Sequence, residues 1–200
     1  LTKASALTQA ERALVQQHPI FGAEMLRALA GPSDLSMVVA FEHHANYDLS
    51  GYPRLTTKPR PQLFARLVQI VDVFDAATTS RRAYRRPQAP EDVMKHIMAG
   101  AATLYDPALA RIFVQEMGVY PVGTLVRLDD GALAVVRRPG RASPTRPVVS
   151  VIDARATPPA VVATLDLEMD PARQILRSVD PADAGVDPAA LPFPPDESAA

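Results

Sequence analysis

The sequence predicts a mainly α-helical protein followed by a small antiparallel β unit. Two changes of pattern carry that expectation. Up to about residue 118 the apolar residues recur every three or four positions, the period of a helix with one apolar face. After Tyr120-Pro121 they alternate, the period of a strand with one face inward. A third observation concerns the C-terminal side. From about Val179 the chain is dominated by Pro, Ala and Asp, and such a segment reads as a disordered tail. The expected division is therefore a helical domain over 1–118, a β-rich appendage over 119–178 and a tail over 179–200.

Thr8 stands three residues before Glu11, the spacing at which each side chain can bond the other's backbone N–H at a helix start. Ala13, Leu14, Ile20, Phe21, Met25, Leu26 and Leu29 then recur at helical spacing, and Gly31-Pro32 stops that helix. Ser33 or Asp34 caps the next helix, which is expected to bury Leu35, Val38, Val39 and Phe41. A loop rich in Gly, Pro and Thr runs from about Ala45 to Pro61. Phe64, Leu67, Val68, Val71 and Phe74 mark a strongly apolar helix, and two more helices are expected near Glu91–Met98 and Pro107–Met117. In the β region Thr124–Leu128 alternates, Asp130-Gly131 is a tight-turn pair, and Ala132–Val136 returns, which together predict a hairpin. Pro147–Ile152 and Val161–Leu167 bring the expected strands to four.

Composition narrows the function classes. With 21 basic and 22 acidic residues in 200, net charge −1, no broad field points to a nucleic-acid polymer or an anionic membrane. There are no cysteines, so disulfide frameworks, thiolate metal sites and cysteine nucleophiles are excluded within this sequence. No apolar run approaches the roughly 18–20 residues that span a bilayer, so no membrane insertion is expected of this segment. A cytoplasmic protein is the expectation. The opening at Leu1 reads as a fragment of something longer.

Three of the four histidines are candidates for one site. His43 and His44 are adjacent where an apolar helix runs out into the Gly/Pro loop, and His18 precedes Pro19 at a helix boundary. Adjacent helical residues point about 100° apart, so both can address one centre only over a helix end or across two metals. Asp72 lies in the apolar run Ile70–Phe74, where burial of an unpaired carboxylate would cost several kcal/mol. Such a carboxylate needs a metal, a cation or a hydrogen-bond network. Imidazole with carboxylate suits Fe, Mn or Zn better than Ca or Mg. Each residue also has a plainer explanation: the His pair as a half-exposed helix end, Asp72 as the partner of Arg66 or Arg81, and His18 as part of a turn. His96 reads as structural.

The local context is more specific. Phe41-Glu42-His43-His44-Ala45-Asn46-Tyr47-Asp48-Leu49-Ser50-Gly51-Tyr52-Pro53 resembles the signature of the HD-GYP family, a bacterial metal-dependent phosphodiesterase module that acts on cyclic di-GMP. Leu7-Thr8, Glu11 and His18-Pro19 with Gly22 resemble the family segment upstream of that signature. Ile70–Ala76 and Arg81–Arg85 resemble its last-ligand helix and its basic substrate loop. The likeness covers about residues 1–118, in the family's order. It implies an HD-type helical bundle, with His18, His43, His44 and Asp72 as metal ligands. Tyr52 and Arg81 or Arg82 would meet the substrate, and Asp48, Gly51 and Pro53 would order the loop. The implied cofactors are divalent transition metals, iron or manganese, with two or three ions in the full-length domain. The implied substrate is a cyclic dinucleotide, cleaved to pGpG and onward to GMP, and the implied partners are diguanylate cyclase or other signalling domains.

Three departures from the family stand out. No His-Asp dipeptide occurs in the 200 residues, nor the lysine that follows it, so this fragment is expected to be nearly inactive. Ala45 stands where many members carry glutamate, and Leu49 replaces the first loop glycine. If position 49 needs a positive φ, leucine there costs on the order of 1 kcal/mol. A non-catalytic signalling module, or an HD-type phosphohydrolase of another nucleotide, are the alternatives.

Overall fold

The computed structural model describes residues 6–56, 60–79 and 87–191. The chain divides into two compact units, Leu1–Ile112 and Phe113–Ala200.

The helices of the first unit begin where local chemistry says they should. Helix α1 (Gln9–Val15) opens on the expected capping box: the Thr8 side chain accepts from the Glu11 N–H, and the Glu11 carboxylate accepts from the Thr8 N–H at 2.7 Å. The apolar pattern that suggested one helix through Leu29 is in fact cut in two, because α2 (His18–Ala28) starts afresh after Gln16-Gln17. Pro19 explains the break. It has no N–H to offer the Val15 carbonyl one turn back, and its ring would crowd that carbonyl in a continuous helix. Ser33 caps α3 (Asp34–Glu42), and the Gln62 side chain caps α4 (Leu63–Thr78). Helix α5 (Pro90–Ala99) carries proline at its first position, where a missing N–H does no harm. Helix α6 (Pro107–Met117) follows, and the division between the units falls inside it.

The interior of this unit is small and partly polar. Ala65, Ile70, Val93, Met94, Ile97 and Tyr105 are buried, together with Glu42, Gln69 and Asp106. Each of these three side chains makes at least one hydrogen bond, though Gln69 Oε1 has none. Glu42 accepts from the Gln62 N–H at 2.6 Å, and Gln69 donates to Asn46 at 2.9 Å. Asp106 pairs with Arg66 and caps the start of α6 through the Ala108 N–H. The expected burial of the α3 residues does not hold: Leu35 is 40% exposed, and Val38, Val39 and Phe41 are half-buried. Phe21, Met25 and Leu29 of α2 are exposed as well, as are Phe64, Leu67, Val68 and Val71 of α4. Periodicity shows which face of a helix is apolar; it does not say what covers that face.

The second unit is a five-stranded antiparallel sheet, not the four strands expected. Its order is β4-β3-β2-β1-β5, with β1 Leu125–Leu128, β2 Leu133–Arg138, β3 Val148–Asp153, β4 Ala160–Asp166 and β5 Ile175–Ser178. The β1–β2 hairpin pairs Leu125 with Val135 and Arg127 with Leu133, and Gly131 supplies the positive φ of 85° in its turn. Strand β5 escaped sequence reading because four residues without alternation carry almost no period. It pairs with β1 through a register shift at Arg127/Leu128.

The expected disordered tail also needs correction over its described part. Val179 donates to the Leu125 carbonyl at 2.7 Å, and Val179, Val186 and Leu191 are buried in one cluster with Leu125, Leu133, Val135 and Ile152. Composition missed this because two Asp-Pro steps organise the segment. Asp180 caps the short helix α7 (Pro181–Ala184), and Asp187 caps a single 3-10 turn at Pro188–Ala190. Residues 192–200 lie outside the described residues. Truncating Leu191 to alanine should therefore destabilise the protein by about 2–3 kcal/mol, as large-to-small changes in a core do. Urea unfolding measures it, and an unchanged midpoint would show that 179–191 contributes nothing to the fold.

Candidate metal centre

Pro19 does more than divide two helices. With no N–H at position 19, the Val15 carbonyl is left for another donor, and His18 Nδ1 lies 2.8 Å from it. His43 is held the same way. It caps α3, whose last carbonyls have no intrahelical partner, and its Nδ1 lies 2.9 Å from the Ala40 carbonyl. A carbonyl only accepts, so each Nδ1 carries a proton and each ring turns its Nε2 outward. The two Nε2 atoms face each other at 3.1 Å.

Two bare lone pairs would repel there. At that distance the pair requires a shared proton or a cation. His44 completes the set, its ring centroid 4.2 Å from that of His43 and 4.9 Å from that of His18. One ligand atom from each of the three histidines lies within 4.8 Å of the other two. Burial, and after it the neighbouring His43 and His18, draw the His44 pKa from 6.5 down to about 4. His44 is thus neutral at pH 7 and has a lone pair to give.

The residues fit a transition-metal ion. Neighbouring nitrogens at about 2.0–2.1 Å from one ion stand roughly 2.9–3.4 Å apart, and the observed 3.1 Å lies in that range. Backbone carbonyls on the far ring nitrogens are the usual means of fixing a ligand imidazole's tautomer and orientation. The helix-end geometry also resolves the problem of adjacent histidines. Helix α3 stops at Glu42, so His43 and His44 stand at and beyond its end and are free to turn toward one point.

The loop that follows is pinned from several sides. Tyr47 and Asp48 donate their N–H groups to the Leu104 and Thr103 carbonyls, each at 2.9 Å, and Tyr52 donates its own to the His44 carbonyl at 3.1 Å. Asp48 bonds within this loop. It accepts from the Ser50 N–H at 2.9 Å, and its hydrogen bonds with Ser50 hold its carboxyl below the usual range. A β-carbon on Gly51 would lie 2.1 Å from the His44 carbonyl oxygen and 2.6 Å from the Asn46 nitrogen, so only glycine fits there. Leu49 has φ 67°, the conformation in which a leucine is strained. Pro53 follows Tyr52 through a cis peptide bond.

Tyr52 and Asp72 flank the histidines in different ways. The Tyr52 ring lies 4.7 Å from that of His44, tilted by 30°. Burial first, and the Asp72 charge second, raise the pKa of its phenol, which stays protonated as a donor. Asp72 is exposed, contrary to the burial that its apolar neighbours suggested, because it lies on the open side of α4. It shares a cavity of about 410 Å³ with His44 but stands outside the tight group of three histidines. Arg81 and Arg82 lie outside the described residues. Sequence reading missed two residues of this cavity, Gln88 and His96, and neither carries a local pattern that would have revealed it.

Known proteins resemble this chain in sequence. The family model for the HD domain matches residues 1–109. A cyclic di-GMP phosphodiesterase of Pseudomonas aeruginosa is 35% identical over 185 residues, 92% of this chain and 44% of that protein. A cyclic di-GMP phosphodiesterase of Thermotoga maritima is 31% identical over 116 residues, 58% of this chain and 31% of that protein. A 3'3'-cGAMP-specific phosphodiesterase of Vibrio cholerae is 29% identical over 117 residues, 58% of this chain and 22% of that protein. The chain spans less than half the length of each of these relatives. It belongs to the HD domain family.

The loop geometry sets an expectation of opposite signs at neighbouring positions. Gly51→Ala should destabilise the protein by about 1–3 kcal/mol, because backbone atoms must move to admit the new carbon. Leu49→Gly should stabilise it by about 0.5–1 kcal/mol by relieving the left-handed strain. Urea unfolding of both variants checks this, and a loss of stability in Leu49→Gly would rule out the strained conformation.

Proposed function

We propose that this chain carries part of the active site of a metal-dependent phosphodiesterase that opens cyclic di-GMP. The observation that carries the reading is the facing pair of Nε2 atoms on His18 and His43, joined by His44, beside the Gly51-Tyr52-Pro53 loop. His18, His43 and His44 would hold the metal, with Asp72 joining from α4. Iron or manganese suits a set of imidazoles and a carboxylate. A bound divalent ion supplies Lewis acidity toward a phosphoryl oxygen and lowers the pKa of a water.

The chain's own residues do the rest. Neutral His44 keeps its lone pair available at pH 7. The protonated Tyr52 phenol can donate to a substrate oxygen at the rim. Arg81 or Arg82 would bind a phosphate through a planar fork suited to it. In the reaction the water's oxygen joins phosphorus, the P–O3' bond breaks, and O3' leaves with a proton. The product is linear pGpG, with GMP after a second cut. The setting would be cytoplasmic signalling, with diguanylate cyclase or other signalling domains as partners.

A second reading has one observation in its favour: no His-Asp dipeptide occurs in this sequence. On that reading the same site binds the dinucleotide without turnover. One experiment distinguishes the two readings and tests the first. The manganese-loaded chain should bind cyclic di-GMP, and His43→Ala should weaken that binding at least about tenfold. Turnover by these 200 residues alone should be close to background, since groups that act as a unit fail together. A longer form of the protein that contains an upstream His-Asp pair should release pGpG, and His44→Ala should abolish that release. Binding without turnover in such a form would establish the second reading, and failure of the loaded chain to bind cyclic di-GMP would remove both.

A further inference from the structure

The cavity beside the candidate metal centre is lined by two polar side chains that the mechanism above does not use. Its lining includes Gln88 and His96 as well as His44 and Asp72, with Val73 and Ala77 among the apolar residues. At about 410 Å³ it falls within the range of small-ligand sites, roughly 300–1,000 Å³. His96 is placed there by helix geometry. It lies one turn after Val93, on the same face of α5, and both line the cavity. Its ring meets that of Tyr105 edge-on, 6.1 Å between centroids at 80°, which limits how it can turn. Gln88 is fixed by its backbone, whose N–H donates to the Ala77 carbonyl at 2.9 Å.

Neither the His96 nor the Gln88 side chain makes a hydrogen bond to another described residue, although each offers a donor and an acceptor. If the histidine trio takes the scissile phosphate, the other polar groups that line the cavity meet what the phosphate carries, a nucleoside. Guanine presents acceptors at N7 and O6, whereas adenine presents an acceptor at N7 and a donor at N6. A donor held at the O6/N6 position favours guanine and an acceptor there favours adenine, and the imidazole and the carboxamide that line this cavity can each supply one. We infer that His96, with Gln88, reads a nucleobase edge of the cyclic dinucleotide and sets which base is accepted. The inference rests on the proposed function and goes beyond it by assigning base selectivity to these two side chains.

The test measures affinities of the manganese-loaded chain for cyclic di-GMP, 3'3'-cGAMP and cyclic di-AMP by calorimetry. Wild type, His96→Ala and Gln88→Ala are compared, with metal content and thermal unfolding recorded for each. The expected result is a change of at least about fivefold in the ratio of cyclic di-GMP to cyclic di-AMP affinity in His96→Ala, and a smaller change in Gln88→Ala, with metal content unchanged. An equal loss for all three ligands would make His96 a phosphate contact and overturn the inference, as would no change at all. A loss of bound metal would make it a support of the metal centre instead, which also overturns it. If wild type binds none of the three while metal-loaded, the functional reading itself fails, and that outcome is visible before any variant is measured.

Discussion

Two imidazole Nε2 atoms held 3.1 Å apart need a proton or a cation between them, and much of the first unit serves to hold them there. Each ring is fixed through its other nitrogen by a carbonyl at a helix end, Val15 after α1 and Ala40 at the close of α3. Those carbonyls are available for local reasons: Pro19 withholds an N–H, and α3 stops at Glu42. Glu42 in turn is buried and accepts the Gln62 N–H next to the start of α4, the helix that carries Asp72. Helix ends, normally a cost in unpaired backbone groups, here become the scaffold of a site that needs a cation.

The loop after the histidines answers to the same constraint. Gly51 lets the chain pass against the His44 carbonyl, and Tyr52 then donates back to that carbonyl and lays its ring beside the His44 imidazole. Any side chain at 51 would displace the backbone that carries His44. Leu49 departs from the glycine found in the related signature and still adopts the left-handed conformation, so the surrounding hydrogen bonds outweigh its strain.

Much of this was legible in the sequence, and the reasons for what was not are physical. The capping box at Thr8, the hairpin turn at Asp130-Gly131 and the histidine pair at a helix end are local patterns, and local patterns survive into the structure. The strain at Leu49 was readable too, because φ preference belongs to the residue itself. What failed depended on partners. Leu35 and the α4 stripe of Phe64, Leu67 and Val71 have an apolar period, yet they are exposed in this unit. Asp72 sits in an apolar run and still faces outward, because a run of neighbours does not determine the side of a helix. Val186 and Leu191 are two apolar residues in a Pro/Ala/Asp segment, too few to raise its average but enough to anchor it. His96 reaches its cavity only through the packing of α5, which no spacing in the chain announces.

The central claim is that His18, His43 and His44 together bind one metal ion. X-ray absorption at the manganese or iron edge of the loaded chain tests it most directly. The account predicts scattering from three imidazoles at about 2.0–2.2 Å, falling to two in His18→Ala with the other ligands retained. A first shell made only of oxygen, or a wild-type chain that retains no metal after desalting, would contradict it.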